Sequence, residues 1–140
     1  MDNIFKNGTN SVLDMKDFYF SNLSVKNDRV GLDELKLDVK HEITYFISKD
    51  SPNDYKVEIT TIIDDEKKSL YIKVECVGIF ELKNIEYLSV EEKDYLIKRN
   101  TVAIMYPFIR SQVSLLTTQP GVAPIMIPLI DVDSLVEEQE

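Results

Sequence analysis

Residues 100–133, NTVAIMYPFIRSQVSLLTTQPGVAPIMIPLIDVD, constrain the fold more than any other stretch of the chain. Turning 100° per residue from Val102, the side chains of Tyr106, Ile109, Val113 and Leu116 all fall within roughly 40° of one line. A second apolar group, Ile104, Phe108 and Leu115, lies at roughly 200 to 240°, and Arg110, Ser111 and Ser114 occupy about 80 to 180°. A helix lying on one sheet needs one apolar face. Two apolar faces and a narrow polar strip predict a helix held between two layers, the second supplied by another subunit. Pro107 removes one helical hydrogen bond and crowds the preceding turn, so the helix either kinks near Ala103 or begins only a few residues before Pro107. Past the helix, Pro120, Gly121, Pro124 and Pro128 forbid regular helical structure. The segment GVAPIMIPLID is expected to run as an extended apolar connection into a short C-terminal helix capped by Asp131 or Asp133.

Upstream, the pattern changes period from 3.6 to 2. Phe18 and Phe20, then Leu23 and Val25, alternate with polar residues, but the parity slips by one near Ser21-Asn22, which predicts a strand over about 16–26 with a bulge there. Leu35, Leu37, Val39, His41, Ile43, Tyr45 and Ile47 share one face of a second strand whose other face carries Lys36, Asp38, Lys40, Glu42 and Thr44. A turn at Pro52-Asn53-Asp54 leads to a third strand through Tyr55, Val57, Ile59, Thr61 and Ile63. The charged run from Asp64 to Lys68 reads as a solvated hairpin tip, and Leu70, Ile72, Val74 and Cys76 alternate along a fourth strand until Gly78, expected as a bulge or strand end. Residues 81–99 are expected as loop or a short helix, with a helix start at Ser89-Val90-Glu91-Glu92. Four strands joined by short links and followed by helices define an α+β domain with an antiparallel sheet and its helices on one face. The 140 residues suit a single domain, 1–140, with residues 1–14 as a loosely ordered lead-in.

Composition narrows the chemistry. Lys+Arg 16 against Asp+Glu 25 gives a net charge of −9, and there is no run of three basic residues, which disfavours nucleic acid as a partner. One cysteine, Cys76, cannot form an internal disulfide and fits a reducing, cytoplasmic setting; no apolar run reaches the ~18 residues of a membrane span. Phosphate loops, nucleophile elbows and paired histidines are missing from the sequence, so no catalytic residue, metal ligand or cofactor is assigned. His41, alone on an apolar face, reads as a packed histidine, and Cys76, in phase with Leu70, Ile72 and Val74, as a small core residue. What remains in excess is apolar surface, which predicts an oligomer interface and a binding groove.

The order of motifs over 70–135 resembles the SecB family of protein-export chaperones. Gly78-Ile79-Phe80 closes a strand, Tyr106-Pro107-Phe108 with Arg110 marks a helix, Gly121 with Pro124 marks a turn, and Pro128 precedes Asp133 and Leu135. The resemblance implies a four-stranded antiparallel sheet with a long helix and a short C-terminal helix on one face, assembled as a homotetramer, a dimer of dimers. It implies an ATP-independent holdase, not an enzyme, that keeps unfolded or export-bound polypeptides in apolar grooves and delivers them to the translocase motor ATPase. Leu70, Tyr71, Val122, Ile125, Met126, Ile127 and Leu129 are the expected client-binding residues, with closure of the core as the competing role for each. Ile104, Phe108 and Leu115 are the expected oligomer interface. Asn22, Lys26 and Lys73 stand where the family carries an acidic docking face. A second reading therefore stays open: a dedicated SecB-like binding module for one partner, such as an antitoxin, without translocase coupling.

Overall fold

The computed structural model describes residues 12–28, 36–122, 124–128 and 131–139. Four strands, β1 (Leu13–Asn27), β2 (Leu37–Ile47), β3 (Asp54–Asp65) and β4 (Leu70–Leu82), form one antiparallel sheet in the order β1-β4-β3-β2. Consecutive strands β1 and β2 are thus its two edges. Helix α1 (Val90–Tyr95) starts at the Ser89 capping box, where Ser89 accepts from the Glu92 amide and Glu92 from the Ser89 amide. It runs through a π-turn (Leu96–Asn100) into α2 (Thr101–Leu116), and α3 (Val132–Glu137) follows, capped by Asp131. Most of the proposed lead-in, together with Leu35, lies outside the described residues; Leu13 and Asp14 already belong to β1.

Alternation decides which side chains meet. Val57, Ile59 and Ile63 of β3 and Leu70, Ile72, Val74, Cys76 and Phe80 of β4 share the inner face, where Val102, Met105, Ile109 and Val113 of α2 close over them. These α2 residues include three of the five on the line through Val102, and Tyr106 joins them, 5 % exposed. The parity slip expected at Ser21 is a register shift between Phe20 and Asn22, and a second occurs between Met15 and Asp17. Both keep the apolar side chains of β1 turned inward as the strand twists.

Two expectations need correction and one is refined. β4 neither ends nor bulges at Gly78, whose register with Phe18 and Val57 is unbroken. The glycine instead admits close neighbours: a Cβ there would sit 2.6 Å from the Phe80 ring and 2.9 Å from Met105 Sδ. The helix expected to kink near Ala103 or to begin a few residues before Pro107 has its regular α-helical start at Thr101, but helical backbone already runs from Val90 and reaches it through the π-turn. The 64–68 tip is not wholly solvated. Asp64 and Asp65 are buried, Asp65 accepting from the Ser69 hydroxyl and from the Leu70 amide at 2.9 Å, and those bonds hold its carboxyl below the usual carboxylate range. Lys68, at φ 57°, turns the hairpin and pairs with Asp64.

His41 and Cys76 behave as packing residues. Burial pushes the Cys76 thiol up to about 12, leaving it protonated. His41 Nδ1 lies 2.8 Å from Thr61 Oγ1 and its ring meets Tyr106 edge-on at 5.4 Å, while His41 Nε2 and the Tyr106 hydroxyl find no partner among the described residues. Burial lowers the His41 pKa from 6.5 to about 4. The unfolded chain therefore takes up this proton below pH ~6.5 while the fold refuses it until pH ~4, so stability is full above that window and lost as pH falls through it. Asp14 and Asp65, held low by Lys83 and by the Leu70 amide, lose their contributions only beneath it. The urea midpoint is expected to fall steadily from pH 7 to 4.5, and His41→Phe to flatten that slope; an unchanged slope in the variant would assign it elsewhere.

Candidate polypeptide-binding surface

Prolines 120, 124 and 128 deny the segment after α2 any regular ladder, so its main-chain groups must find partners on the helix. Arg110, Ser114 and Thr117 provide them, spaced four and three residues apart along one ridge of the helix and its C-cap. Arg110 Nε donates to the Ile127 carbonyl at 2.9 Å, Ser114 Oγ to the Ile125 carbonyl at 3.3 Å, and the Ile125 amide donates to Thr117 Oγ1 at 2.9 Å. At the entry, Gly121 adopts φ 82°, open to glycine without a Cβ penalty, and Asn27 of β1 donates to its carbonyl at 3.0 Å. At the exit, Arg99 from the π-turn pairs with Asp133 at 2.9 Å. The segment is therefore a strap, tied along the polar strip of α2.

The strap sorts the expected groove residues. Ile127 is 1 % exposed and Leu70 3 %, so both fill the core and neither forms a groove wall. Val122 and Ile125 are half-buried against the core, and Met126 stands out at 78 % exposure. Tyr71 pairs with Lys26 and Asp64 on the opposite face of the sheet, away from the strap. Leu129 lies outside the described residues. The groove set thus separates into an outward strap residue, a half-buried pair, two core positions and one residue on the far face.

The second apolar face of α2 is only partly covered by the described residues. Leu115 is 64 % and Phe108 46 % exposed, while Ile104 is half-buried against its own core. Beside them β1 offers Phe18, Phe20, Leu23 and Val25, with the Phe18 ring 4.9 Å from that of Phe108 and 5.3 Å from that of Phe20. Together they form an apolar strip between an edge strand and the long helix. The β1 residues were not singled out from sequence, although their alternation marked a buried face; only the strand order, with β1 at an edge, leaves that face half uncovered.

The outer sheet face is different in kind. Lys16 and Lys83 alternate with Asp14 and Glu81 in a four-charge cluster at 3.2 to 3.8 Å, Lys73 lies 3.0 Å from Glu75, and Lys56 3.4 Å from Glu58. Lys83 and then Lys16 hold the Asp14 carboxyl below its ordinary range. Acids on this face are neutralised by neighbouring lysines, so it carries no continuous acidic field. Among the described residues no group of three or more His, Cys, Asp or Glu could hold a metal ion, and no helix is long and apolar enough to cross a membrane.

Known proteins resemble this chain in sequence and in architecture. The family model of SecB, the preprotein translocase subunit, matches residues 6–140. The Protein-export protein SecB of Orientia tsutsugamushi (strain Boryong) is 30 % identical over 131 residues, which span 90 % of this chain and 79 % of that one. An uncharacterized protein of Methanocaldococcus jannaschii, MJ0357, is 30 % identical over 135 residues, 86 % of this chain and 83 % of its own. Among solved structures, the Mycobacterium tuberculosis SecB-like chaperone Rv1957, in complex with a ChAD peptide from the Rv1956 HigA1 antitoxin, superposes with a TM-score of 0.68 at 16 % identity, covering 89 % of this chain and 92 % of that one.

Removing the guanidinium is expected to loosen the strap without unfolding the sheet. Arg110→Ala should cost about 1.5 to 3 kcal/mol, the range for a hydrogen bond to a charged group, and open the 120–128 segment to limited proteolysis. Unchanged cleavage there would show that the prolines alone hold the strap.

Proposed function

We infer, from the premise that this chain belongs to the SecB family, that it is an ATP-independent chaperone for protein export, a holdase that binds unfolded polypeptides without chemical change. The carrying observation is the exposed apolar side chains of Leu23 and Val25 on β1 and Met126 on the strap, which lie outside the α2 half of the strip. Side chains of this kind bind extended, non-native chain without reading its sequence, and the thioether of Met126 adapts to varied clients. The net charge of −9 favours basic segments. No step requires a cofactor or a nucleotide, and the site of action is the cytoplasm. The half of the strip on α2, Ile104, Phe108 and Leu115, is assigned to assembly of a homotetramer, with Leu115 and Phe108 facing the partner dimer. Clients then run along the strap and the strip margins left uncovered.

One observation favours a second reading. The sheet face expected to meet the motor ATPase is charge-paired, with Lys73 bound to Glu75 and Lys26 exposed at the end of β1. A module serving one partner, as the Mycobacterium tuberculosis chaperone is seen with an antitoxin peptide, would need no such docking.

Suppression of aggregation decides between these readings. Near-stoichiometric protein is expected to keep several unrelated urea-unfolded reporters soluble without ATP. Protection of one partner alone would favour the dedicated module, and protection of none would remove the holdase reading. In the same series Leu115→Glu, which places an unpaired charge in the assigned interface, is expected to sediment as dimers with the fold intact.

A further inference from the structure

The open edge of β2 is occupied by this chain's own tail. Among the described strands β2 pairs with β3, and in an antiparallel ladder alternate residues turn their main-chain groups away from the partner. At Ile43 and His41 those outward groups are bonded to one side chain. Gln139 Oε1 accepts from the Ile43 amide at 3.2 Å, and Gln139 Nε2 donates to the His41 carbonyl at 2.8 Å. A primary carboxamide carries the donor and acceptor of a peptide group, and gripping the carbonyl of one residue and the amide of the next but one is how a residue of a parallel strand holds its neighbour. Gln139 stands where one residue of an added strand would stand.

Three features describe what would replace it. The contact is made by main-chain groups of β2, so any extended segment satisfies it whatever its sequence. Four residues along the same edge, Ile47 opens onto a recess of about 330 Å³ shared with Tyr55, Val90 and Ile97, large enough for an aromatic or leucine side chain. Exposed Glu137 and Glu138 immediately precede Gln139, which suits a basic segment.

We propose that Gln139 is an intramolecular placeholder on the β2 edge, displaced when an extended, net-basic polypeptide pairs its main chain at His41 and Ile43 and seats a large apolar side chain beside Ile47. This rests on the chaperone reading and adds the place and manner in which an extended client is held. Until a client arrives, the carboxamide satisfies the Ile43 amide and the His41 carbonyl and blunts edge-to-edge pairing between copies there.

The test uses the full chain and a ten-residue peptide alternating lysine or threonine with valine, with one phenylalanine near its end. Gln139→Ala is expected to bind this peptide about fivefold tighter than the parent chain, since one or two neutral hydrogen bonds no longer compete. Gln139→Glu, which keeps the acceptor for Ile43 but has no donor for His41, is expected to fall between the two. Peptide binding should slow exchange of the Ile43 amide in the Gln139→Ala chain, and N-methylating the peptide's pairing amides should weaken binding about tenfold. Equal affinity in all three chains, or full affinity of the N-methylated peptide, would overturn the placeholder. If the parent chain still keeps unfolded reporters soluble in that case, the chaperone reading stands without it; failure of both removes both.

Discussion

Pro124 and Pro128 deprive the strap of ladder partners, yet the burial of Ile127 between them requires that the neighbouring carbonyls be satisfied away from water. Arg110, Ser114 and Thr117 meet that requirement from α2. Much else depends on the arrangement. It commits the polar strip of the helix to the strap, so one apolar face must cover β3 and β4 and the other must look outward. It fixes which strap side chains point in, Ile127, and out, Met126. It also brings the chain to Asp131, where α3 starts and carries Gln139 to the far edge of the sheet. A short run of side-chain to main-chain hydrogen bonds thereby joins the core, the exposed apolar strip and the β2 edge.

The architecture was legible because its periods are clean. Alternation from Leu37 to Ile47 and from Leu70 to Cys76 gave the strands, and the line through Val102, Tyr106, Ile109 and Val113 gave the core face of α2. Gly78 misled because a glycine marks a close approach as readily as a strand end, and only the position of Met105 and the Phe80 ring distinguishes them. At Pro107 the missing bond, to Ala103, falls on an exposed turn, so the helix passes through the proline unbroken. Asp65 looked like surface charge, but its hydrogen bonds to Ser69 and Leu70 are tertiary consequences of a tight hairpin.

The site was legible as a quantity of apolar surface more than as a set of residues. A proline-spaced run gives no period from which to choose inward from outward positions, so Ile127 and Met126 looked equivalent in sequence. Tyr71 and Leu70 are adjacent in sequence and therefore lie on opposite faces of the sheet. Leu23 and Val25 were visible as a buried face, but their exposure follows from strand order, a long-range property. The Gln139 contact joins residues nearly a hundred positions apart and has no local signature.

On the proposed function, non-native polypeptide is held on the helix side of the sheet, by the strap, the apolar strip and the β2 edge, and not on the charge-paired outer face. Amide hydrogen exchange across the chain, with and without a saturating unfolded reporter, tests it directly. New protection is expected in β1 around Leu23, in the strap around Met126 and along β2, with the amides flanking Lys56 and Lys73 unchanged beyond what assembly already gives. Protection centred on the outer-face loops and strand ends, with the strap and the β2 edge exchanging as freely as before, would contradict it.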